Sequence, residues 1–159
     1  MTSADRLSAL MGRMLQTRRL VRAPIWLYRL RIGFLLGHRM LLLEHRGRRS
    51  NLQRRVVLEV IDRPSADTYV IVSGFGEASQ WYRNLRADPH VRVSVGWRRN
   101  VPAIATLLSP EAAEATLSRY AQQHPRTWDH LRHTLERALH TDDLRLPMFA
   151  LQLAPRHGR

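Results

Sequence analysis

Twelve residues, Glu44-His45-Arg46-Gly47-Arg48-Arg49-Ser50-Asn51-Leu52-Gln53-Arg54-Arg55, place five arginines and a turn signal between two apolar runs. Gly47 and Asn51 are residue types that tolerate a left-handed backbone, so a tight turn here can aim successive N–H groups at one point. Arg48, Arg49, Ser50, Gln53 and Arg54 add side-chain donors around it. Guanidinium forks meet phosphate or carboxylate oxygens two at a time. The segment therefore reads as an anion-binding hairpin, suited to a phosphorylated or polycarboxylate ligand; the alternative is a solvated basic hairpin.

Other chemistry is excluded by what the chain lacks. All 26 basic residues are arginines, so no lysine can form a Schiff base or act as a base. Cysteine is also absent, which removes thiol nucleophiles, disulfides, Cys-ligated zinc and iron–sulfur clusters. Gly74-x-Gly76 has Ser79 where a dinucleotide fingerprint needs its third glycine, and there is no Walker-type Gly-Lys pair. No Gly-x-Ser-x-Gly elbow occurs. His130 and His133 could share a helix face without a third ligand at a recognisable spacing, so no metal is expected. No pair of acids stands out for general acid and base work. An enzyme of this composition would draw its chemistry from a cofactor, the protein supplying orientation and electrostatics.

The net charge of +13 is placed unevenly. Residues 1–55 hold 13 arginines against Asp5 and Glu44, whereas residues 56–159 hold 13 against 11 acids. The positive field belongs to the first third, where it would draw nucleic acid, anionic lipid or an acidic cofactor. No secretory signal is evident at the start, and Arg29, Arg31, His38 and Arg39 interrupt the apolar stretch from Pro24 to Leu43. A cytoplasmic protein is expected, with a peripheral place at the inner membrane face left open.

The elements that must position the arginines follow from hydrophobic period. Leu7, Leu10, Met11, Met14, Leu15 and Val21 mark a basic amphipathic helix, and Pro24 opens a second that Gly37 ends. Strands are expected at Met40 to His45, Val56 to Ile61 and Thr68 to Ser73, the last two joined by a turn over Pro64 to Asp67. Ser79 caps a short helix that Asp88-Pro89 stops. Val91, Val93 and Val95 alternate with polar residues; Trp97 to Asn100 turns the chain into a strand over Val101 to Leu107, which Pro102 pushes towards a sheet edge. Ser109-Pro110-Glu111 opens another helix, a further one runs from about Pro125 to His140, and Met148 to Leu153 closes the sheet. Six antiparallel-type strands with helices at the ends and in two connections suggest an α+β domain on a small barrel. The division expected is residues 1–36 as basic helices, 37–154 as the cofactor-binding barrel and 155–159 as a disordered tail.

Gly37 to Leu43, His45 to Ser50, Arg54 to Val60, Val72 to Gly76 and Trp81 to Pro89, in that order, resemble the deazaflavin-dependent nitroreductase family over about residues 24 to 153. The resemblance implies a split β-barrel of about six mainly antiparallel strands, helices packed around it, and coenzyme F-420, with FMN the lesser alternative. It implies that Arg48, Arg49, Ser50 and Arg54 hold the coenzyme's phosphate, that Gln53 supports the turn, and that Val56 and Val57 flank the ring. Ser73 and Gly74 would approach the deazaflavin, while Trp81, Tyr82 and Asn84 would line the tail groove. The phosphodiester and oligoglutamate of F-420 match the basic first third.

Asn51 stands where the family usually has glycine, and Glu44 where it often has threonine. A carboxylate at 44 needs an arginine partner if it is not to repel the ligand. Tyr120, His124 and Trp128 are the candidates to face substrate, with Tyr120 and His124 also candidate proton donors. Nitroimidazole reduction does not carry over, because the matching region reads His124-Pro125-Arg126-Thr127-Trp128. The expected activity is hydride transfer from reduced F-420 to a quinone, enone or nitro compound, by a monomer or homodimer. The rival is a cofactor-free or FMN-binding split-barrel module that binds nucleic acid or anionic lipid through its arginine face; the aromatics do not form an RNA motif, which disfavours nucleic acid.

Overall fold

The computed structural model describes residues 37–126, 128, 129, 132 and 146–155. The two helices expected before Gly37, most of the helix expected after Pro125, His130, His133 and most of the expected tail lie outside the described residues. Six strands run as β1 Met40–Arg46, β2 Gln53–Ser65, β3 Thr68–Val72, β4 His90–Val95, β5 Arg98–Leu107 and β6 Met148–Leu153. Among the described residues the strands are joined by α1 Gln80–Ala87 and α2 Pro110–Gln123, and a short 3-10 turn spans Gly76–Ala78. The strands close in the order β1-β2-β3-β6-β5-β4, every neighbour antiparallel.

Alternation along each strand sorts the residues into two layers. Leu41 and Leu43 of β1, Val93 and Val95 of β4 and Leu151 and Leu153 of β6 point inward with Tyr69, Ile71 and Phe149, and all are almost fully buried. Tyr82 and Leu85 of α1 close this core, the Tyr82 ring lying 5.5 Å from that of Phe149. The second layer lies outside the barrel wall. There Ile61, Val70 and Met148 meet Ala113 and Tyr120 of α2. The Ser109 hydroxyl accepts from the Ala112 N–H to cap α2, and Pro110 begins it where no N–H is needed.

Three local expectations are corrected. Pro102 is not on an edge, because β5 lies between β4 and β6. The Ala154 N–H donates to the Pro102 carbonyl at 2.8 Å, so the reciprocal bond would need an N–H at position 102. Arg98 takes that role, its Nη2 donating to the Ala154 carbonyl at 2.7 Å. The β2–β3 turn also begins later than Pro64: β2 reaches Ser65, and Pro64 falls in the register shift between Asp62 and Ser65, where no ladder bond is required. The β4–β5 turn falls at Gly96-Trp97 rather than Trp97 to Asn100. Gly96 has φ 54°, and a side chain there would meet the His38 ring at 2.9 Å.

Candidate functional site

At one mouth of the barrel, where β1 ends and β2 begins, a cavity of about 520 Å³ opens between the β1–β2 turn and α1. Gly47, Arg48, Arg49 and Ser50 form its rim, Arg54, Arg55 and Val56 one wall, and Gln80, Trp81 and Asn84 of α1 the other. His45 lies at its base. The turn closes on itself through Asn51 N–H to the Gly47 carbonyl at 2.7 Å and Gly47 N–H to the Leu52 carbonyl at 2.9 Å. Asn51 has φ 54°, the left-handed conformation that asparagine tolerates better than other non-glycine residues. Gly47 does not use the left-handed region; a Cβ there would stand 2.7 Å from the Ser50 hydroxyl, so any larger residue must displace that side chain.

The backbone N–H groups do not all converge on the cavity. That of Arg48 donates to Asn84 Oδ1 at 3.1 Å, and Arg48 Nη1 donates to the same oxygen and to Gln80 Oε1, each at 3.0 Å. The guanidinium is thereby fixed on one edge. Asn84 is 5% exposed and presents its amide nitrogen to His45 Nδ1 at 3.2 Å. Among the described residues Arg49 and Arg54 form no ion pair, so both keep their charge for an anion. Glu44 does not oppose them: it is buried on the outer face of β1 and paired with Arg55 across the strand.

Arg48, Arg49, Ser50, Arg54, Val56, Trp81 and Asn84 thus come together. Trp81 also packs on Phe149, with ring centroids 6.2 Å apart, so it serves core and cavity at once. Others stand elsewhere. Gln53 borders a second cavity of about 730 Å³ beside His90, Arg92 and Ile104. Val57 follows the inward Val56 and so faces out. Ser73 is fully buried, its hydroxyl donating to the Gly76 carbonyl at 2.7 Å and meeting Ser79 Oγ at 2.7 Å, with Gly74 in the same bend. Tyr82 lies on the other face of α1, its hydroxyl donating to Glu77 at 3.2 Å. Tyr82 and Trp128 border a third cavity of about 980 Å³ beside α2. Tyr120 donates to Glu59 at 3.3 Å and its ring packs on His124 at 5.1 Å. Burial, followed by the Glu59 carboxylate, holds the Tyr120 phenol above its ordinary value. Among the described residues no cluster of His, Asp and Glu could hold a metal ion, and no helix is long and apolar enough to cross a membrane.

A family model described as F420H(2)-dependent quinone reductase matches residues 20–144, a span that includes the whole arginine cavity. The chain belongs to this family. It is therefore an oxidoreductase, and coenzyme F-420 is the cofactor the family implies. The F-420-dependent split barrel implied by the sequence resemblance agrees with this. Among solved structures, a F420-H2 dependent reductase aligns with TM-score 0.53 at 23% identity over 73% of this chain and 96% of its own. A domain-swapped dimer aligns with TM-score 0.54 at 22% identity, covering 95% and 100%. The heme storage protein HutZ from Vibrio cholerae gives 0.52 at 14%, covering 77% and 86%. At such identities the likeness is one of fold. No curated protein matches the chain.

The cavity fits what this family binds. Its donors are arginines and a hydroxyl, the groups that hold phosphodiester oxygens, and Gly47 at its rim leaves the Ser50 hydroxyl and Arg54 Nε uncrowded. Sequence reasoning passed over His45 and Gln80. Gln80 and Asn84 stand four apart on α1 and so share a face, a spacing visible in the sequence, whereas nothing in the sequence pairs His45 with Asn84.

Proposed function

We propose that this reductase holds the phosphodiester of F-420 at the β1–β2 turn through Arg48, Arg49, Ser50 and Arg54, and that its acceptor is a quinone. When bound and reduced, the coenzyme supplies a hydride. The fixing of Arg48 to α1 carries this reading: a guanidinium already held along one edge by Asn84 and Gln80 loses little freedom on meeting an anion. Arg49 and Arg54 bring charge from the turn and from β2, and Ser50 adds a neutral donor. Val56 on one wall and Trp81 on the other give the cavity its apolar lining. The described residues thus bind and orient, and catalysis rests on that placement.

Reducing a quinone to a quinol takes one hydride and one proton. Tyr120 and His124 do not line the arginine cavity, and the Tyr120 hydroxyl is engaged by Glu59, so water is the proton source this arrangement favours. Bleaching of reduced F-420 on addition of a menadione-like quinone, dependent on the protein, tests the activity. Inertness towards quinones, with turnover of an enone or nitro compound, would reassign the acceptor. One structural neighbour is a domain-swapped dimer, which motivates a homodimer here; light scattering at several protein concentrations tests it.

A further inference from the structure

The hydrogen bonds around Asn84 fix more than its own position. Both groups that reach Asn84 Oδ1, the Arg48 backbone N–H and Nη1, can only donate, so that atom is the amide oxygen. The atom facing His45 is then the NH₂, which can only donate as well. His45 Nδ1 must accept, and its proton sits on Nε2. We propose that His45 is a positioning residue for coenzyme binding, which, as the neutral Nε2–H tautomer, orients the Asn84 amide and through it holds Arg48 over the cavity. This rests on the reading of that cavity as the phosphodiester site.

A second proton, placed on Nδ1, would set N–H against N–H and break the chain of bonds. The surroundings oppose that proton. His45 is 6% exposed, and Arg54 stands directly across from it on β2. The turn adds Arg46, Arg48 and Arg49, α1 adds only the neutral Gln80, Trp81 and Asn84, and the neighbouring cavity adds His90 and Arg92. The nearby carboxylate, Glu44, is engaged by Arg55. Burial keeps the imidazole below its ordinary value of 6.5; the backbone at Arg46 opposes it in part, and Arg54 adds a smaller push in the same direction as burial. A bound anion would favour a charged imidazole, but Arg48, Arg49 and Arg54 already meet it, so loss of the Arg48 anchor dominates.

The test follows fluorescence of oxidised F-420 as it is titrated into the wild type, His45→Asn and His45→Leu, each from about pH 8 to about pH 5. Asparagine puts a non-titrating acceptor where Nδ1 was; leucine removes the acceptor. The wild type should lose affinity on acidification, roughly tenfold for one lost charge-assisted bond. His45→Asn should bind as the neutral wild type does and show a flat profile, and His45→Leu should bind weakly at every pH while keeping the far-UV circular dichroism of the folded chain. In the coenzyme-free protein, long-range ¹H–¹⁵N spectra should show His45 as the Nε2–H tautomer near neutral pH. Tightening on acidification, an Nδ1–H tautomer, or a His45→Asn profile that follows the wild type would overturn the positioning role alone. No binding by the wild type at any pH would overturn the reading of the cavity, and this proposal with it.

Discussion

Arg48 and Asn84 are tied twice through one oxygen, Asn84 Oδ1, which receives both the backbone N–H and the guanidinium of Arg48. One buried amide therefore fixes the turn as main chain and as side chain. Asn84→Ala should remove both bonds and leave His45 without its donor. Stability should fall by about 1–3 kcal/mol, the cost of stranding buried polar groups. Affinity for F-420 should fall at least about tenfold. Urea denaturation and coenzyme titration read the two effects separately, and a stability loss with unchanged affinity would remove Arg48 from the binding account.

Gly47→Ala should disturb the turn through space and not through backbone angle. The added Cβ would stand 2.7 Å from Ser50 Oγ and 3.7 Å from Arg54 Nε, so the Ser50 hydroxyl must swing away. Coenzyme affinity should drop several-fold, with a stability change of about 1 kcal/mol. In Gly47→Ala, Ser50→Ala the clash disappears and stability should recover, while affinity stays low because the hydroxyl is gone. Recovery of affinity in the double variant would show that Ser50 contributes nothing to the anion.

Glu44 and Arg55 lie across from each other on β1 and β2, and the carboxylate is buried while the guanidinium is partly exposed. Arg55→Met should destabilise by about 1–2 kcal/mol, less than the loss of a partner in a fully buried pair, because water reaches one side. Glu44→Gln should release Arg55 towards the cavity it borders and tighten F-420 binding at low salt. Isothermal titration at two ionic strengths distinguishes this from a general stability effect.

His45 also sets a pH dependence of folding. Its folded-state value lies below the ordinary 6.5, so between those two values the unfolded chain binds more protons than the folded one. Stability is fully present above about pH 6.5, declines as pH falls through that window, and levels off once the folded imidazole is protonated too. His45→Asn should flatten this segment of the curve. Denaturation midpoints measured across it check the sign, and a wild type that gains stability on acidification there would contradict the buried neutral imidazole.

What the sequence discloses depends on how far apart the interacting residues stand. Alternation at Val91, Val93 and Val95 marks β4, and Ser109-Pro110-Glu111 marks the start of α2, because both signals lie within a few residues. The arginine turn was legible for the same reason, down to Asn51 in its left-handed conformation. Pro102 misled because the residue that compensates for it, Arg98, acts through Ala154 at the far end of the chain. His45 and Asn84 are 39 residues apart and meet only when the barrel closes under α1. Tyr82 and Asn84, close together in the motif, fall on opposite faces of a two-turn helix and so border different cavities.

The most direct measurement is a fluorescence titration of oxidised F-420 into the wild type and into the Arg48→Ala, Arg54→Ala double variant, with FMN as the competing ligand. The wild type should bind F-420 with micromolar affinity and FMN more weakly, and the variant should lose F-420 affinity by at least about a hundredfold for two charged contacts. Equal affinity in both proteins, or a wild type that prefers FMN, would contradict the assignment of this cavity to the F-420 phosphodiester.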